Sequence, residues 1–541
     1  MRFNKLFIPI FIIFPFFVSA QPSILWQECF GGTADDYVRK SIKTNDNGFL
    51  ISLKPASLDG DLIGQPPLSG WLIKFDSLVQ IQWQTFYPQE LGVSPREIIE
   101  LPQGGYILGG GGSEGCPNFH GYYDMMLMQT DSSGEILWSR CYGGTLADDL
   151  VSLQATQDGG YLVLGSSYGA GGDIPFHYGE ACCNDAIIFK TDSLGNILWL
   201  KVLGGSLYDS PIANAVETSR GIYQIHIFSS SDDYDLADCP VTDSRKRWII
   251  EMDSMGNILR ENFLSAEDDY LNFENLLYQD GEFIVSVGTG NAESPLFPAP
   301  VGHAGEEGSI AFFDSTLNLV NMISFGGSGE DRFNGMTRDS AGNYYFVGIS
   351  SSTDYDLPGN YNGGNTDDYW LMATDSNFNL LWSRNFGGSH TSGDDMGSAE
   401  ISDILIKSGV IYVFTGAVTP DELPDYDIGC GHQDVVPDIY DERDAWVVAF
   451  SIPNAIHSAT SSELGMTIFP NPADTYCKIS ISGTLNPTHI QILDATQRVV
   501  HEGKYTPDIS ITLDHFKPGV YMLCLYNHTG LLDCEKLLIL R

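Results

Sequence analysis

The sequence contains a repeat of about sixty residues, and this repeat limits the chain to a small set of folds. Its clearest copies begin at Trp26, Trp138, Trp199 and Trp382, each followed five residues later by a Gly-Gly pair. Weaker copies begin at Trp83, Leu259 and Asn321. The first and last starts lie six repeats apart, which gives a mean period of about 59 residues. A fixed period of this size is typical of a propeller or a solenoid.

Each repeat has the pattern of four short strands. In one copy the first strand follows Asp148, the turn at 158–160 ends it, and the second strand begins at Tyr161. A long variable loop precedes the third strand, and the fourth strand is Ile197–Trp199. Runs of β-branched and aromatic residues between Gly and Asp turns predict strands rather than helices.

The strand count predicts a closed ring. Third strands lie near residues 71, 124, 185, 247, 310, 369 and 445. The last of them has no Ile-Leu-Trp strand after it, whereas Ile24–Trp26 precedes the first full repeat as a spare copy. Pairing the two removes the open sheet edges of a linear array. The prediction is therefore an all-β fold, a seven-bladed β-propeller over residues 21–453, with an open β-solenoid as the alternative.

Residues 1–20 have the layout of a signal peptide. Two basic residues precede the apolar run Leu6–Val18, which is too short to span a bilayer, and cleavage is expected between Ala20 and Gln21. An exported chain with ten cysteines can form disulfides. We expect Cys182 and Cys183 to pair with Cys116 or Cys239.

The charge balance excludes two classes of partner. The chain has 70 acidic and 27 basic residues, a formal charge of −43. A nucleic-acid-binding surface needs basic side chains to meet phosphates, and an anionic membrane would repel this chain. The hydrophobic share of 43% is nevertheless that of a folded protein rather than of a disordered acidic one.

Strand parity predicts two different faces. The 1–2 and 3–4 turns lie on one face, the turn face, and the 2–3 loops and 4–1 connections lie on the other, the loop face. Acidic residues recur in the 4–1 connections at Asp35, Asp36, Asp148, Asp149, Asp209, Asp268, Asp269, Glu330, Asp331, Asp394 and Asp395. The loop face is therefore expected to be strongly acidic.

The 2–3 loops contain a repeated Asp-x-Asp motif with two interpretations. Clustered carboxylates suit Ca²⁺, whereas Asp side chains also accept hydrogen bonds from nearby backbone N–H groups in turns. No loop has the full EF-hand pattern. The candidate calcium ligands are Asp59, Asp61, Asp233, Asp235, Asp354, Asp356, Asp425 and Asp427. Four histidines of these loops have the same two readings, a transition-metal site or loop packing: His120, His177, His303 and His432.

The segment after the repeats has a different pattern. Residues 454–464 are small and polar, as in a linker, and residues 465–541 contain five short strands that predict a small β-sandwich. The motifs Phe469–Ala473, Ile492–Asp494, Lys517–Tyr521 and Lys536–Arg541 resemble the type A C-terminal sorting domain of the type IX (Por) secretion system.

This resemblance implies a route and several partners. It implies Sec export followed by passage through the type IX machinery across the outer membrane of a Bacteroidetes-type bacterium. It also implies cleavage by a sortase-like peptidase, then release or attachment to surface lipopolysaccharide. The residues that carry the motif are Pro470, Asn471, Pro472, Ala473, Gly519, Tyr521 and Lys536. The repeats also resemble propeller repeats in other cargo of this system.

No catalytic motif accompanies the repeats. The chain has no Gly-x-Ser-x-Gly elbow, no His-Glu-x-x-His and no P-loop, and the pattern specifies no cofactor other than the Ca²⁺ discussed above. The leading hypothesis is a cell-surface or secreted, non-catalytic module that binds a glycan or a protein. The alternatives are an enzyme acting on polysaccharide or a small ester, favoured by charged side chains converging in the channel, and a structural or adhesive surface protein.

Overall fold

In the computed structural model the chain divides into two compact units, Met1–Pro453 and Asn454–Arg541. The helical elements in the described part are three short 3-10 turns, Gly60–Leu62, Gln89–Leu91 and Tyr234–Leu236. None of the described helices has the length and apolar character that a bilayer crossing requires. The structure describes residues 21–180, 183–219, 221–241, 243–265, 272–279, 282–289, 306–314, 316–357, 359–360, 367–388, 403–418, 427–432, 443–453, 465–469, 476–482, 488–493, 499–506, 509–513, 515–517, 519–527 and 530–539. The predicted signal peptide and linker lie outside these residues.

The first unit is a β-propeller. Strand β1 (Ile24–Phe30) comes first along the chain. Blade 1 comprises β2 (Tyr37–Lys43), β3 (Phe49–Lys54), β4 (Leu68–Phe75) and β5 (Ile81–Pro88). Blade 2 comprises β6 (Val93–Glu100), β7 (Tyr106–Gly112), β8 (Asp124–Thr130) and β9 (Ile136–Tyr142). Blade 3 comprises β10 (Asp148–Ala155), β11 (Tyr161–Ser167), β12 (Asp185–Thr191) and β13 (Ile197–Leu203). Blade 4 comprises β14 (Asp209–Pro211), β15 (Val216–Ser219), β16 (Ile222–Ser229), β17 (Lys246–Asp253) and β18 (Ile258–Ser265). Blade 5 comprises β19 (Asn272–Gln279), β20 (Glu282–Thr289), β21 (Glu307–Phe313) and β22 (Leu319–Phe325). Blade 6 comprises β23 (Asp331–Arg338), β24 (Tyr344–Ser350), β25 (Asp368–Thr374) and β26 (Leu380–Phe386). The remaining strands are β27 (Asp403–Lys407), β28 (Val410–Val418) and β29 (Arg443–Ser451).

The blade count differs from the seven predicted. Six antiparallel blades are formed by strands consecutive in sequence. The difference arises because the strands at the two ends of the repeat region share one further sheet, with the order β1-β29-β28-β27, which we call the closing sheet. First strands of neighbouring sheets contact one another, as β2 does with β6 and β27, so the first strands surround the axis of the propeller.

Strand β1 takes the place of a fourth strand in the closing sheet. It pairs antiparallel with β29, and the indole N–H of Trp446 donates to Gln27 Oε1 at 3.1 Å. In blade 6 the third-strand Trp370 donates in the same way to Ser383 of the fourth strand, at 2.8 Å. The predicted pairing of the spare N-terminal strand with the last third strand is therefore confirmed.

The core lies between the faces of neighbouring blades. Every residue of β11 and β12 is buried, because each central strand is covered on both faces. One cluster joins Ile107 and Leu127 of blade 2 to Val163 and Ile187 of blade 3. Each such aliphatic side chain contributes about 1.5–3 kcal/mol of burial free energy. Central strands with both faces covered explain why the sequence reads there as continuous apolar runs.

The second unit contains two antiparallel sheets. Its strands are β30 (Gly465–Phe469), β31 (Tyr476–Ser482), β32 (His489–Leu493), β33 (Val499–Lys504), β34 (Ser510–Thr512), β35 (Gly519–Asn527) and β36 (Gly530–Ile539). The sheet orders are β30-β31-β34 and β33-β32-β35-β36. One buried cluster includes Ile479 of the first sheet with Ile492 and Leu523 of the second. Pro470, Asn471, Pro472 and Ala473 lie outside the described residues.

Candidate ligand-binding face and central channel

The Asp-x-Asp loops hold the Gly-Gly turns in place. In blade 4, Asp233 Oδ1 accepts a hydrogen bond from the backbone N–H of Ser206 at 2.7 Å, and Asp235 Oδ2 accepts one from Gly204 at 3.1 Å. The N–H of Asp235 in turn donates to the carbonyl oxygen of Gly204. The same arrangement recurs in blades 1 and 6 through Asp59, Asp61, Asp354 and Asp356.

These contacts bear on the calcium interpretation without testing it. The described members of the motif use carboxylate oxygens to bind N–H groups, or in Asp427 to bind Arg384 at 2.8 Å. Within the described ranges there is no group of three or more His, Cys, Asp or Glu residues that could hold a metal ion. Asp425 lies outside those ranges, and the calcium site stays a prediction.

Four acids of the 4–1 connections are buried, so these four do not contribute to an exposed acidic face. They are Asp36, Asp148, Asp209 and Asp331. Asp148 Oδ2 accepts the N–H of Gly144 at 2.8 Å, and the Asp148 N–H donates to the carbonyl oxygen of Tyr123 in blade 2 at 2.6 Å. Each of these acids therefore joins its own blade to the preceding sheet.

A second set of buried acids faces the first. These residues lie near the start of the third strands, and sequence reasoning did not single them out although their position recurs: Asp124, Asp185, Glu307 and Asp444. Burial, with the charge of Asp124 and Asp149, raises the pKa of Asp148 to about 7. Burial, with Asp331 as the largest charged contributor, raises the pKa of Glu307 to about 9. These carboxyl groups bind protons in the folded chain far above their ordinary range.

Two of the loop histidines, His120 and His432, connect neighbouring sheets. His432 donates its backbone N–H to Asp444 at 2.6 Å, its Nδ1 lies 2.8 Å from the same residue, and its Nε2 lies 3.9 Å from Asp61 of blade 1. His120 occupies the same position between Asp124 and Asp173. The loop-packing interpretation fits both, and His303 lies outside the described residues.

Two disulfides differ from the predicted pairing. Cys116 bonds Cys141 of the same blade, and Cys29 of β1 bonds Cys430. The pairing of Cys116 with Cys182 or Cys183 is therefore wrong, because β9 brings Cys141 next to the loop that contains Cys116. The thiol of Cys239 is not in a disulfide.

Exposed aromatic side chains gather on the loop face of blades 2 to 4. Tyr122 is 84% exposed, and Phe176, Tyr208 and Tyr234 are also exposed. The rings of Tyr178 and Tyr234 lie 4.6 Å apart, and Phe176 meets Tyr178 edge-on at 5.1 Å. We call Phe176, Tyr178 and Tyr234 the aromatic platform.

Charged side chains also meet on the first strands around the axis. Lys40 Nζ of β2 lies 3.4 Å from Asp403 Oδ2 of β27, and the charges of Asp403 and then of Glu97 on β6 raise the pKa of Lys40. Burial raises the pKa of Glu97. A β-bulge lies in β2 between Val38 and Lys40, and bulges are common next to functional sites.

The family of the second unit follows from its sequence. Residues 467–540 match the family described as the secretion system C-terminal sorting domain. This segment is a type IX sorting domain. The resemblance predicted from the motifs is thus confirmed, and the sorting domain indicates export by the type IX system to the cell surface or the medium. Such a domain implies interaction with the type IX secretion machinery. Gly519 and Tyr521 lie in β35, and Lys536 of β36 pairs with Met522 of β35.

Comparisons of the whole chain add only distant likenesses. A search of the curated proteins finds no match. Chaetomium thermophilum Raptor is 8% identical with a TM-score of 0.43, over 80% of this chain and 29% of that one, so the chain spans less than a third of Raptor. The Neurospora crassa Pan2 WD40 domain is 8% identical with a TM-score of 0.36, over 79% and 99%. Drosophila Semaphorin 1b, extracellular domains 1-2, is 9% identical with a TM-score of 0.37, over 80% and 88%.

Proposed function

We propose that this exported propeller is a non-catalytic binding module that recognises a glycan through its loop face. The observation that carries the proposal is the concentration of exposed aromatic side chains there, with Tyr122, Phe176, Tyr208 and Tyr234 on three successive blades. Monomeric soluble proteins rarely expose contiguous apolar patches unless the patch binds something. Tyrosine also offers both an apolar ring and a hydroxyl group, which suits a ligand with apolar and hydroxylated surfaces.

The charge of the chain reduces the range of possible ligands. A formal charge of −43 repels nucleic acids, sulfated polymers and anionic lipid surfaces. A neutral glycan meets no such repulsion. A protein ligand is the other binding hypothesis, and it would need a basic surface to complement this charge.

The proposal includes an arrangement of the whole chain. We infer that residues 1–20 are removed as a signal peptide, that the closing sheet acts as a seventh blade of residues 21–453, and that residues 465–541 form a sandwich after the linker 454–464. Pro470, Asn471, Pro472, Ala473, Gly519, Tyr521 and Lys536 then form the sorting motif. A sortase-like peptidase would remove the domain, releasing the propeller or attaching it to lipopolysaccharide.

One observation favours an enzyme as the second candidate. Lys40, Glu97 and Asp403 lie on adjacent first strands, where charged groups of a propeller converge. A partly buried Glu with a raised pKa near a second carboxyl group is the pairing that general acid–base hydrolysis of polysaccharides uses. Against this, Lys40 lies between the two carboxyl groups and is already paired with Asp403.

One experiment separates the two candidates. The full chain is tested on an array of neutral and charged glycans, and in parallel for release of reducing ends from the same polysaccharides. We expect binding to neutral glycans without turnover, both in the wild-type chain and in Glu97→Gln. Turnover by the wild-type chain that is lost in Glu97→Gln would mean that the protein is an enzyme and not a binding module. No binding to any glycan, with capture of a defined basic protein instead, would replace the glycan by a protein ligand.

A further inference from the structure

The Asp-x-Asp loops present a tyrosine at one recurring point of the loop face. Tyr234 of blade 4 has φ 49° and is 58% exposed, and Tyr355 of blade 6 has φ 54° and is 59% exposed. In blade 1 the same point is occupied by Gly60, with φ 57°. Only glycine adopts this left-handed conformation without steric penalty. The backbone conformation therefore favours glycine here, yet two of these loops hold a large, mostly exposed tyrosine side chain at this point.

The neighbouring carboxylates fix the direction of the tyrosine. Asp233 and Asp235 are held against the 4–1 connection by their hydrogen bonds to Ser206 and Gly204. Because both flanking side chains face the protein, the side chain between them projects into solvent. Asp354 and Asp356 do the same around Tyr355 through Ser328 and Gly326.

The ring of Tyr234 belongs to the aromatic platform, whose side chains are held in place before any ligand binds. Its partner Tyr178 is held by its backbone N–H, which donates to Asp185 at 2.6 Å, and by its hydroxyl group, 3.4 Å from Asp235 Oδ1. The two rings are inclined by 30°, and Phe176 extends the surface beyond Tyr178. A rigid aromatic surface loses little conformational entropy when a ligand binds.

We propose that Tyr234 and Tyr355 are repeated contact residues, each stacking on one ring of the same neutral polysaccharide chain; this rests on the proposed glycan-binding function. The electron-rich face of an aromatic ring attracts the C–H groups on the flat side of a sugar ring. The surrounding carboxylates exclude anionic polymers. Two such points on one rigid propeller bind a polymer more tightly than a short oligosaccharide, because the second contact is intramolecular.

The test uses the full chain, a neutral polysaccharide found to bind it, and a tetrasaccharide of the same sugar. The variants are Tyr234→Gly, Tyr355→Gly and the double variant; Tyr234→Phe keeps the ring, and Met255→Ala changes an exposed side chain on the turn face of the same blade. Affinity and thermal midpoint are both measured. Each glycine variant should keep or raise the midpoint and weaken polymer binding about 2- to 12-fold. The double variant should lose more affinity for the polymer than for the tetrasaccharide, while Tyr234→Phe and Met255→Ala bind as the wild type does.

The outcomes separate this inference from the function beneath it. A wild-type chain that binds no neutral polysaccharide overturns both. A wild-type chain that binds while the double variant binds equally well overturns the tyrosine assignment and leaves glycan binding in place. If the double variant loses equal affinity for the polymer and for the tetrasaccharide, the two tyrosines do not bind one polymer chain together, and a single binding site remains.

Discussion

Single carboxyl groups at the junctions between blades make the stability of the propeller depend on pH. Asp148 is buried, and burial is the largest cause of its pKa of about 7. Asp185 has the same pKa, and Asp331 and Asp444 have pKa values of about 6. Because these values exceed the ordinary 3.8, the folded chain binds protons that the unfolded chain releases. The stabilisation is complete below about pH 4 and is lost as the pH rises through 6 and 7.

We expect Asp148→Asn to flatten this dependence. The amide oxygen still accepts the Gly144 N–H, and no charge forms as the pH rises. Thermal unfolding of the wild-type chain should fall in midpoint between pH 5 and pH 8, and the fall should be smaller in the variant. Between pH 5 and pH 8 the ionisation of Asp148 should lower the unfolding free energy of the wild-type chain by about 3 kcal/mol, a loss that the variant does not have.

The neighbouring residue supplies the control. Asp149 is the same residue type but is partly exposed, and its Oδ1 lies 3.7 Å from Arg96 Nη1. Asp149→Asn therefore removes one unit of net charge without removing a buried carboxyl group. Equal pH profiles in Asp148→Asn and Asp149→Asn would mean that overall charge repulsion, rather than burial, sets the dependence.

At the scale of one structural element, the Asp-x-Asp loop can be tested as a turn cap. Asp59 accepts hydrogen bonds from the N–H and the hydroxyl group of Thr33, at 2.8 and 2.7 Å. Asp59→Ala removes both acceptors and should lower the unfolding free energy by about 1 kcal/mol. Asp59→Asn keeps an acceptor and should lie close to the wild type, as measured by chemical denaturation.

The same pair of variants discriminates between capping and calcium. If the carboxylate binds Ca²⁺, Asp59→Asn should be as damaging as Asp59→Ala, because an amide is a far weaker ligand for a hard cation. A chelator should then lower the unfolding midpoint of the wild-type chain. A midpoint that does not change with chelator or added calcium supports the cap.

The strands were largely predictable, because alternating turns and apolar runs are local signals. The third strands near 124, 185 and 369 begin where expected. One strand differs from the predicted pattern because of a single residue. In blade 4 the first strand is divided into β14 and β15, since Pro211 has no N–H to continue the ladder.

The candidate site was less predictable from the sequence than the strands were. Whether Asp148 or Asp149 is buried depends on groups of the preceding blade, which no single repeat reveals.

At the scale of the whole molecule, the closure of the ring depends on contacts between residues about 400 positions apart. Strand β1 pairs with β29, and Gln27 accepts from Trp446 and from the N–H of Gly429. The sequence predicted this strand pairing because counting strands leaves one spare at each end. It could not predict the disulfide, because Cys430 lies in a long loop whose path depends on Asp427 and Gln27.

The closing disulfide should contribute more to stability than the local one. Cys29–Cys430 spans 401 residues, whereas Cys116–Cys141 spans 25. If disulfides act by restricting the unfolded chain, the longer loop contributes about 2 kcal/mol more. Cys29→Ser with Cys430→Ser should therefore lower the free energy of unfolding, measured in urea, by that much more than Cys116→Ser with Cys141→Ser. Equal losses would show instead that the pairing of β1 with β29 already holds the ends together, so that the covalent bond adds no restriction of its own.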